Sequence, residues 1–260
     1  MTRPVTAPQL QQRVTSAIAD ASARTGVAFD YLMDQAKLES GMRPDARAQT
    51  SSATGLYQFT NQTWLSTVKR HGPAHGLDWA SGAIAQKRDG SFAVSDPTMR
   101  SQILELRTHP ETAAVMAAEL ASDNGDYLQS RISGSPEAVD LYLAHFLGAK
   151  GAGDFLNAMQ TDPDQAAAPL FPAAAAANRN IFYRSDGRAK SLNDIRNGFA
   201  AKMAAVPSSG RQVAYTTQQR FATTTARREP LAMANIEEMP KGLDLQFAQK
   251  AYRRLSGQTA

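Results

Sequence analysis

Glu39 is the residue whose type and position most clearly suggest chemistry. Leu32, Ala36 and Glu39 are spaced at i, i+4 and i+7, so the carboxyl group shares a helix face with two apolar side chains. Desolvation on such a face disfavours the anion, and the negative end of the helix dipole acts in the same direction. Both effects raise the pKa of a carboxyl group, which suits a general acid near neutral pH. Glu39 is therefore a candidate proton donor.

A purely structural role for Glu39 is the alternative. The helix is predicted to begin at an N-cap, Asp30, and to end near Gly41. At that helix end, Glu39 would form an ion pair with Arg43 or Arg47, or would point into solvent. Spacing alone does not separate these roles from catalysis.

The second group of interest follows a loop that contains Pro44 and Asp45. It reads Gly55-Leu56-Tyr57-Gln58-Phe59, and Gln58 is 19 residues after Glu39. Together with the Glu39-Ser40 pair, this element resembles the first two signature motifs of the soluble lytic transglycosylases. In that family a Glu-Ser pair ends a helix and a Gly-Leu-Met-Gln-like element follows. Tyr57 takes the place of the usual Met, and the loop is one residue longer.

The resemblance implies a goose-lysozyme-like α-helical domain that cleaves peptidoglycan glycan strands between N-acetylmuramic acid and N-acetylglucosamine. Glycosidases ordinarily use two carboxylates, but Asp45, six residues past Glu39, is expected to be a turn residue. The family needs only one acid, because the C6 hydroxyl of the substrate is the nucleophile and a 1,6-anhydro sugar results. Phe59, Trp64 and Trp79 are candidates to stack on sugar rings, with core packing as the alternative for each. The residues expected to hold the substrate are Ser40, Gly55, Leu56, Tyr57, Gln58, Phe59, Tyr142, His145 and Tyr183.

A third family motif, usually Ala-Tyr-Asn-Ala-Gly, has its best counterpart at residues 141–149. Tyr142 and Ala144 match it, whereas Leu143 replaces the Asn and His145 replaces the Gly. The variant is similar to the Ala-His-Phe-Leu-Gly element of endolysin-type members. Tyr142 is expected to donate a hydrogen bond to the substrate N-acetyl group or to Glu39. For His145 the alternative is a packed core histidine.

A further segment of the resemblance ends in Tyr183. It reads Ala-Asn-Arg-Asn-Ile-Phe-Tyr and falls where relatives carry a segment that ends in Tyr. Tyr183 is therefore a second, weaker cleft candidate, with core packing as the alternative. The resemblance as a whole covers roughly residues 10–204.

The elements that must position these side chains are predicted to be helices. Asp96-Pro97, His109-Pro110 and Ser135-Pro136 each place a cap-like residue before a proline at the first helical position, and Ser191 can cap another helix. Alternating runs rich in β-branched residues are essentially absent, so the predicted class is all-α. Residues 71–96 are predicted to form a long loop or lid with little regular structure.

Composition narrows the function further. The chain has 260 residues, 42% of them hydrophobic, and no cysteine, which excludes disulfide scaffolds, thiol nucleophiles and cysteine metal sites. No cofactor or nucleic acid is expected. A metal site at His71 and His75 is not expected either, because Gly72-Pro73 should break the helix that would bring these two side chains together. A catalytic domain is predicted over residues 10–204. Residues 205–260 are predicted to be a basic extension with a short amphipathic helix that docks on the domain or binds a protein or envelope partner.

Two other functions stay open at this stage. One is a hydrolytic muramidase that uses the same Glu39 with water as the nucleophile. The other is a wall-binding component of an envelope-spanning assembly. The substrate implies action in the periplasm or cell wall, yet the chain begins with no recognisable secretory signal and has no stretch long enough to span a bilayer. Specialised export, holin release or a chain that lacks its signal would reconcile these observations.

Overall fold

The computed structural model describes residues 6–205, and helices make up most of that segment, which confirms the all-α class. The predicted helix within residues 205–260 lies outside the described residues. No helix between residues 6 and 205 is both long and apolar enough to cross a membrane. The α-helices of this segment are α1 (Ala7–Thr25), α2 (Phe29–Ser40), α3 (Asn61–His71), α4 (Asp78–Ala83), α5 (Pro97–Glu105), α6 (Pro110–Gln129), α7 (Ala138–Thr161), α8 (Pro172–Ala177), α9 (Arg179–Phe182) and α10 (Leu192–Ala204). Short 3-10 helices span Gly72–His75 and Leu106–Thr108, and the strands β1 (Ala85–Gln86) and β2 (Phe92–Ala93) pair antiparallel.

Two of the predicted proline starts are confirmed at the residue expected. Helix α5 begins at Pro97, and the Asp96 carboxylate accepts a hydrogen bond from the Met99 N–H at 2.8 Å. Helix α6 begins at Pro110. Proline fits these positions because its missing N–H would have no partner in the first turn of a helix.

The third predicted start is wrong by two residues. Helix α7 begins at Ala138 instead of Pro136, because Glu137 is the N-cap. The Glu137 N–H donates to the Asp140 carboxylate at 2.9 Å, and this reciprocal capping box sets the helix start. The predicted cap of α10 is confirmed, since the Ser191 side chain accepts from a backbone N–H one turn into the helix.

The segment 71–96 is more ordered than the sequence predicts. It contains a 3-10 helix, α4 and the ribbon β1–β2, each too short to leave a periodic pattern. Lys69 of α3 donates to the Ser81 carbonyl at 3.0 Å, and the Ser81 hydroxyl donates back to the Lys69 carbonyl at 2.8 Å. The Gln62 side chain pairs with both backbone groups of Phe92. These bonds fix the segment on α3, so in this structure it is not an open lid.

The helices that carry the site pack around a shared aromatic core. Helix α6 lies between α1 and α7, and α10 packs against α7. Helix α7 is interrupted at Gly148, whose φ of 74° and ψ of 158° are not helical. Rings from α7, α9 and α10 meet before that break: Phe146 lies 5.2 Å from Phe199 and 6.3 Å from Phe182 between ring centroids.

Candidate active site

Helix α2 carries Glu39 in its last turn. The helix begins at Phe29 with Ala28 as N-cap, so the prediction that Asp30 is the cap is wrong. Asp30 instead falls in the first turn, where an acidic side chain suits the helix dipole. The helix ends at Ser40, and the φ of 61° at the C-cap, Gly41, lets the Gly41 N–H donate back to the Lys37 carbonyl at 2.9 Å. This end fixes the direction in which Glu39 projects.

The Glu39 carboxyl group is closed to solvent. Its side chain is 0% exposed, and neither of its oxygens has a hydrogen-bond partner of good geometry. Burial raises the pKa of Glu39 to about 8. Neither arginine considered from the sequence neutralises it, because Arg43 donates to the Ser40 carbonyl and Arg47 pairs with Glu105. Glu39 is thus largely protonated at neutral pH.

His145 is the basic side chain beside this acid. It projects from α7, and its Nε2 lies 3.4 Å from the Glu39 Oε1. Burial lowers the pKa of His145 to about 4. At neutral pH the pair therefore consists of a carboxylic acid and a neutral imidazole, one proton donor facing one potential acceptor.

Two buried tyrosines, Tyr31 and Tyr142, interact with Glu39, and a third, Tyr57, interacts with Tyr31. The Tyr142 hydroxyl stabilises the carboxylate and thereby lowers the pKa of Glu39, but less than burial raises it. Burial raises the pKa of Tyr31, Tyr57 and Tyr142, with the negative charge of Glu39 adding to the effect on Tyr31 and Tyr142. All three hydroxyls therefore stay protonated. The Tyr57 hydroxyl is buried and has no hydrogen-bond partner, which leaves a donor for a ligand.

Sequence reasoning missed two members of this cluster. Tyr31, Gln35 and Glu39 are spaced at i, i+4 and i+8, so they form a polar row along α2 beside its apolar face. Gln35 is buried and its side-chain oxygen has no hydrogen-bond partner. The spacing was a usable signal, because three polar residues in one row of a buried helix require a reason.

The Gly55–Phe59 element forms a tight hairpin. Gly55 has a φ of 87°, and a Cβ at this position would lie 2.0 Å from the Arg107 carbonyl oxygen, so only glycine fits. Gln58 also has a positive φ, 48°, and its side-chain amide donates to the Gly55 carbonyl at 2.8 Å and to the Ala46 carbonyl at 3.2 Å. Thr54 bridges to Phe59 within the hairpin. The Gln58 side chain therefore shapes the loop.

Arg107 holds this hairpin closed and was not found from the sequence. Its Nη1 donates to the Ser52 carbonyl at 2.8 Å and to the Phe59 carbonyl at 3.0 Å, and its Nε donates to the Leu104 carbonyl. Burial lowers the pKa of Arg107 to about 10, so the guanidinium stays charged. Because its partners are backbone carbonyls some fifty residues away, no motif could reveal it.

Several predicted substrate contacts are buried in this structure. The Ser40 hydroxyl donates to the Ala36 carbonyl at 3.0 Å. Leu56 is buried in the core, and the Phe59 ring packs edge-on against Trp64 at 5.0 Å between centroids. The Trp64 indole donates to the Ile103 carbonyl, which makes it a core residue here. Of the aromatic candidates for sugar stacking, Trp79 reaches the surface, at 44% exposed.

Tyr183 is placed outside this buried cluster. It follows α9 and is half-buried, and its ring lies under the Arg179 guanidinium at 4.7 Å. The structure therefore pairs Tyr183 with a cation, whereas Tyr142 is paired with Glu39.

The two histidines of residues 71–75 do meet, contrary to the prediction. Helix α3 ends at His71, but the 3-10 turn that follows places His75 against the Glu119 carboxylate, which His71 also contacts. Glu119 lies 2.8 Å from the His75 Nε2 and 3.3 Å from the His71 Nδ1, and Asp123 lies 2.7 Å from the His71 Nε2. Within residues 6–205, no group of three such side chains has the geometry to hold a metal ion.

The arrangement around Glu39 can supply one proton and take it back. A buried acid with a pKa of about 8, a neutral imidazole and a tyrosine hydroxyl lie together, and burial, not a second carboxylate, perturbs the acid. Such a group suits general acid–base catalysis on a neutral substrate. No family model matches this chain.

Proposed function

We propose that the chain is a lytic transglycosylase of lysozyme-like fold, which cleaves the glycosidic bond between N-acetylmuramic acid and N-acetylglucosamine in peptidoglycan. The observation that carries the proposal is the buried Glu39 carboxyl group, whose pKa is raised to about 8 by desolvation. The motif resemblance of Glu39-Ser40 and Gly55–Phe59 supplies the substrate class. The two lines of support differ in kind, because the raised pKa is a physical property of the site and the resemblance is a pattern of residue types.

Glu39 acts first as an acid. Its proton passes to the glycosidic oxygen as the bond from that oxygen to the anomeric carbon breaks, and the departing sugar leaves as an alcohol. The N-acetyl carbonyl of the substrate stabilises the positive charge that develops on the anomeric carbon. The Tyr142 hydroxyl is placed to stabilise the Glu39 carboxylate that remains, because its interaction favours the anion.

Glu39 then acts as a base. The C6 hydroxyl of the same sugar attacks the anomeric carbon, and Glu39 takes the hydroxyl proton, which restores the acid and leaves a 1,6-anhydro ring. No water is consumed. A single carboxyl group is enough for these two steps, whereas hydrolysis by a retaining or inverting glycosidase uses two carboxyl groups. Asp45, six residues after Glu39, lies in an exposed turn.

Burial of the site has a consequence for binding. The Glu39 side chain is 0% exposed, so a glycan reaches it only when residues over the carboxyl group move. The unpartnered Tyr57 hydroxyl and Gln35 oxygen are polar groups that the substrate would satisfy in that open state. Because peptidoglycan lies outside the cytoplasmic membrane, the proposal also requires that the protein reach the periplasm or cell wall.

Hydrolysis is the second candidate function, and the position of His145 beside Glu39 is the observation that favours it. The residue replaces the small glycine of the usual motif and brings a neutral imidazole to 3.4 Å from the carboxyl group. A neutral imidazole at this position can accept a hydrogen bond from a water molecule and hold it beside the bond. The same Glu39 would then donate the first proton, and the product would be a reducing sugar.

Mass spectrometry of fragments released from purified peptidoglycan tests both candidates. We expect 1,6-anhydro-N-acetylmuramic ends from the native chain, and a loss of about 10³-fold in release rate for Glu39→Gln, as for removal of a general acid. Glu105→Gln is the matched control, because this glutamate is 58% exposed and lies outside the site. Fragments with reducing ends, heavier than the 1,6-anhydro ends by one water, would show that the reaction is hydrolysis and not transglycosylation. Equal release from native and Glu39→Gln chains, or none from either, would overturn the proposal and favour a binding or assembly role.

A further inference from the structure

A second candidate site lies on the segment that joins α9 to α10. A surface hollow of about 540 Å³ opens there, and Arg179, Tyr183, Arg184 and Lys190 are among its lining residues. The turn that forms its rim is closed by a hydrogen bond from the Arg184 N–H to the Arg188 carbonyl at 2.8 Å. The Lys190 N–H donates to the Phe182 carbonyl at 2.8 Å, which ties the rim to α9. The hollow is thus built from one continuous segment that backbone hydrogen bonds close.

The charge of this segment is strongly positive and only partly neutralised. Residues 179–202 contain six basic and two acidic side chains. Arg184 pairs with Asp194 at 2.6 Å, and Arg188 pairs with Asp186 at 2.7 Å. Two cations of the lining, Arg179 and Lys190, have no carboxylate within 4.0 Å among residues 6–205.

Those two cations are held in place by neutral groups. The Arg179 guanidinium lies over the Tyr183 ring at 4.7 Å, a cation–π contact that positions the charge without cancelling it. The Lys190 ammonium donates one hydrogen bond to the Asn180 carbonyl at 2.9 Å, which leaves two N–H donors. Fixed cations with free donors are the usual means of binding carboxylate or phosphate oxygens.

A third cation extends the same patch toward Glu39. Lys202 of α10 is partly desolvated, and the nearby positive charge of Lys190 adds to burial in lowering its pKa. An anion between these two lysines would relieve their repulsion. The Lys202 Nζ lies 5.4 Å from the Phe199 ring, and that ring packs edge-on against Tyr142, which adjoins Glu39. The positive patch and the buried acid therefore share one aromatic wall.

We propose that this hollow binds the carboxylate groups of the peptide stems attached to peptidoglycan, an inference that rests on the proposed function. The stems hang from the same sugar whose bond Glu39 would cleave, and they carry several carboxylates. Asp186 and Asp194 flank the patch and would repel a continuous polyanion, so discrete carboxylates fit better than nucleic acid. The segment 206–260 is itself basic, with eight basic and four acidic residues, and is unsuited to fill the hollow.

Calorimetric titration of the full chain with a free stem tetrapeptide tests this assignment without any catalytic step. We expect the double variant Arg179→Gln, Lys190→Gln to bind the peptide at least tenfold more weakly than the native chain. Arg188→Gln is the matched control, because this arginine is on the same turn, 77% exposed and already paired; it should bind within twofold of native. Lys190→Arg keeps the charge and should retain binding. Circular dichroism and thermal unfolding confirm that each variant is folded.

The outcomes separate this inference from the proposed function. Unchanged peptide binding by the double variant would overturn the hollow as the peptide site, and Glu39-dependent cleavage of glycan strands would be unaffected. Equal affinity for inorganic phosphate and for the peptide would also overturn the assignment, in favour of a general anion site. Two results would support the assignment. A methyl-esterified peptide should fail to bind, because its carboxylates are blocked. The native chain should cleave peptide-bearing strands faster than peptide-free strands, and the double variant should lose this preference.

Discussion

The buried carboxyl group of Glu39 predicts an unusual dependence of stability on pH. In the folded chain its pKa is about 8, against an ordinary value of 4.5. Between these values the unfolded chain is ionised at Glu39 while the folded chain retains the proton. The folded state therefore binds more protons, and its stability at this site falls as pH rises from 4.5 through 8.

The size of the effect follows from the shift. Each pKa unit corresponds to about 1.4 kcal/mol, so the free energy of unfolding loses about 3 kcal/mol at pH 7 and about 5 kcal/mol above pH 8. The variant Glu39→Gln has no proton to lose and removes this dependence. The buried amide adds a cost that does not change with pH. Apart from that constant, the free energy of unfolding of the variant should exceed that of the native chain by about 1 kcal/mol at pH 5 and by about 5 kcal/mol at pH 9.

Urea unfolding of the native and Glu39→Gln chains at intervals between pH 5 and pH 9 measures this difference. Glu105→Gln is the control, because its side chain is 58% exposed and its substitution should give no comparable trend. A Glu39→Gln difference that stays constant within about 0.5 kcal/mol across this range would refute the reasoning, since it would mean that burial leaves the acid unperturbed. The measurement needs no substrate and so tests the site independently of the reaction.

Four other outcomes follow from the same site. Burial lowers the pKa of His145 to about 4, so the native chain should lose about 3 kcal/mol of its free energy of unfolding as pH falls from 6.5 to 4. Urea unfolding of His145→Phe should not show that loss. Arg107→Met removes the two hydrogen bonds that the buried guanidinium donates to the Ser52 and Phe59 carbonyls, each of which keeps a bond from Thr54, and should lower the free energy of unfolding by about 3 kcal/mol, measured in urea. Gly55→Ala, which places a Cβ 2.0 Å from a carbonyl oxygen, should lower the melting temperature by several degrees in calorimetry. If Glu39 is the acid, initial rates of glycan cleavage should fall above about pH 8, and a profile flat to pH 10 would argue against that role.

Sequence patterns were most informative where local chemistry alone decides the structure. Helix starts at Pro97 and Pro110, and the cap at Ser191, follow from which backbone N–H groups need partners, and each is confirmed. The burial of Glu39 was likewise visible in its spacing from Leu32. These features depend on neighbours within about one or two helical turns.

The features that the sequence did not reveal depend on distant residues. Arg107 acts on carbonyls 48 and 55 residues earlier, and carbonyl acceptors leave no mark in the sequence. The meeting of His71 and His75 at Glu119 depends on the packing of α3 against α6, which a helix break does not prevent. Elements of two to six residues within 71–96 are too short to produce a recognisable period.

The wide separation of the site residues along the chain also fixes when Glu39 acquires its raised pKa. Glu39 is synthesised 106 residues before His145, and the walls that bury it come from helix α7. At translation rates of about 5 to 20 residues per second, roughly 5 to 20 s pass in which Glu39 is an ordinary solvated carboxyl group. The nascent chain therefore carries no Glu39 that keeps its proton at neutral pH, and a polypeptide cut short before α7 lacks His145 and Tyr142, which lie against this carboxyl group. The raised pKa of Glu39 therefore belongs to the finished fold and to no fragment that ends before α7.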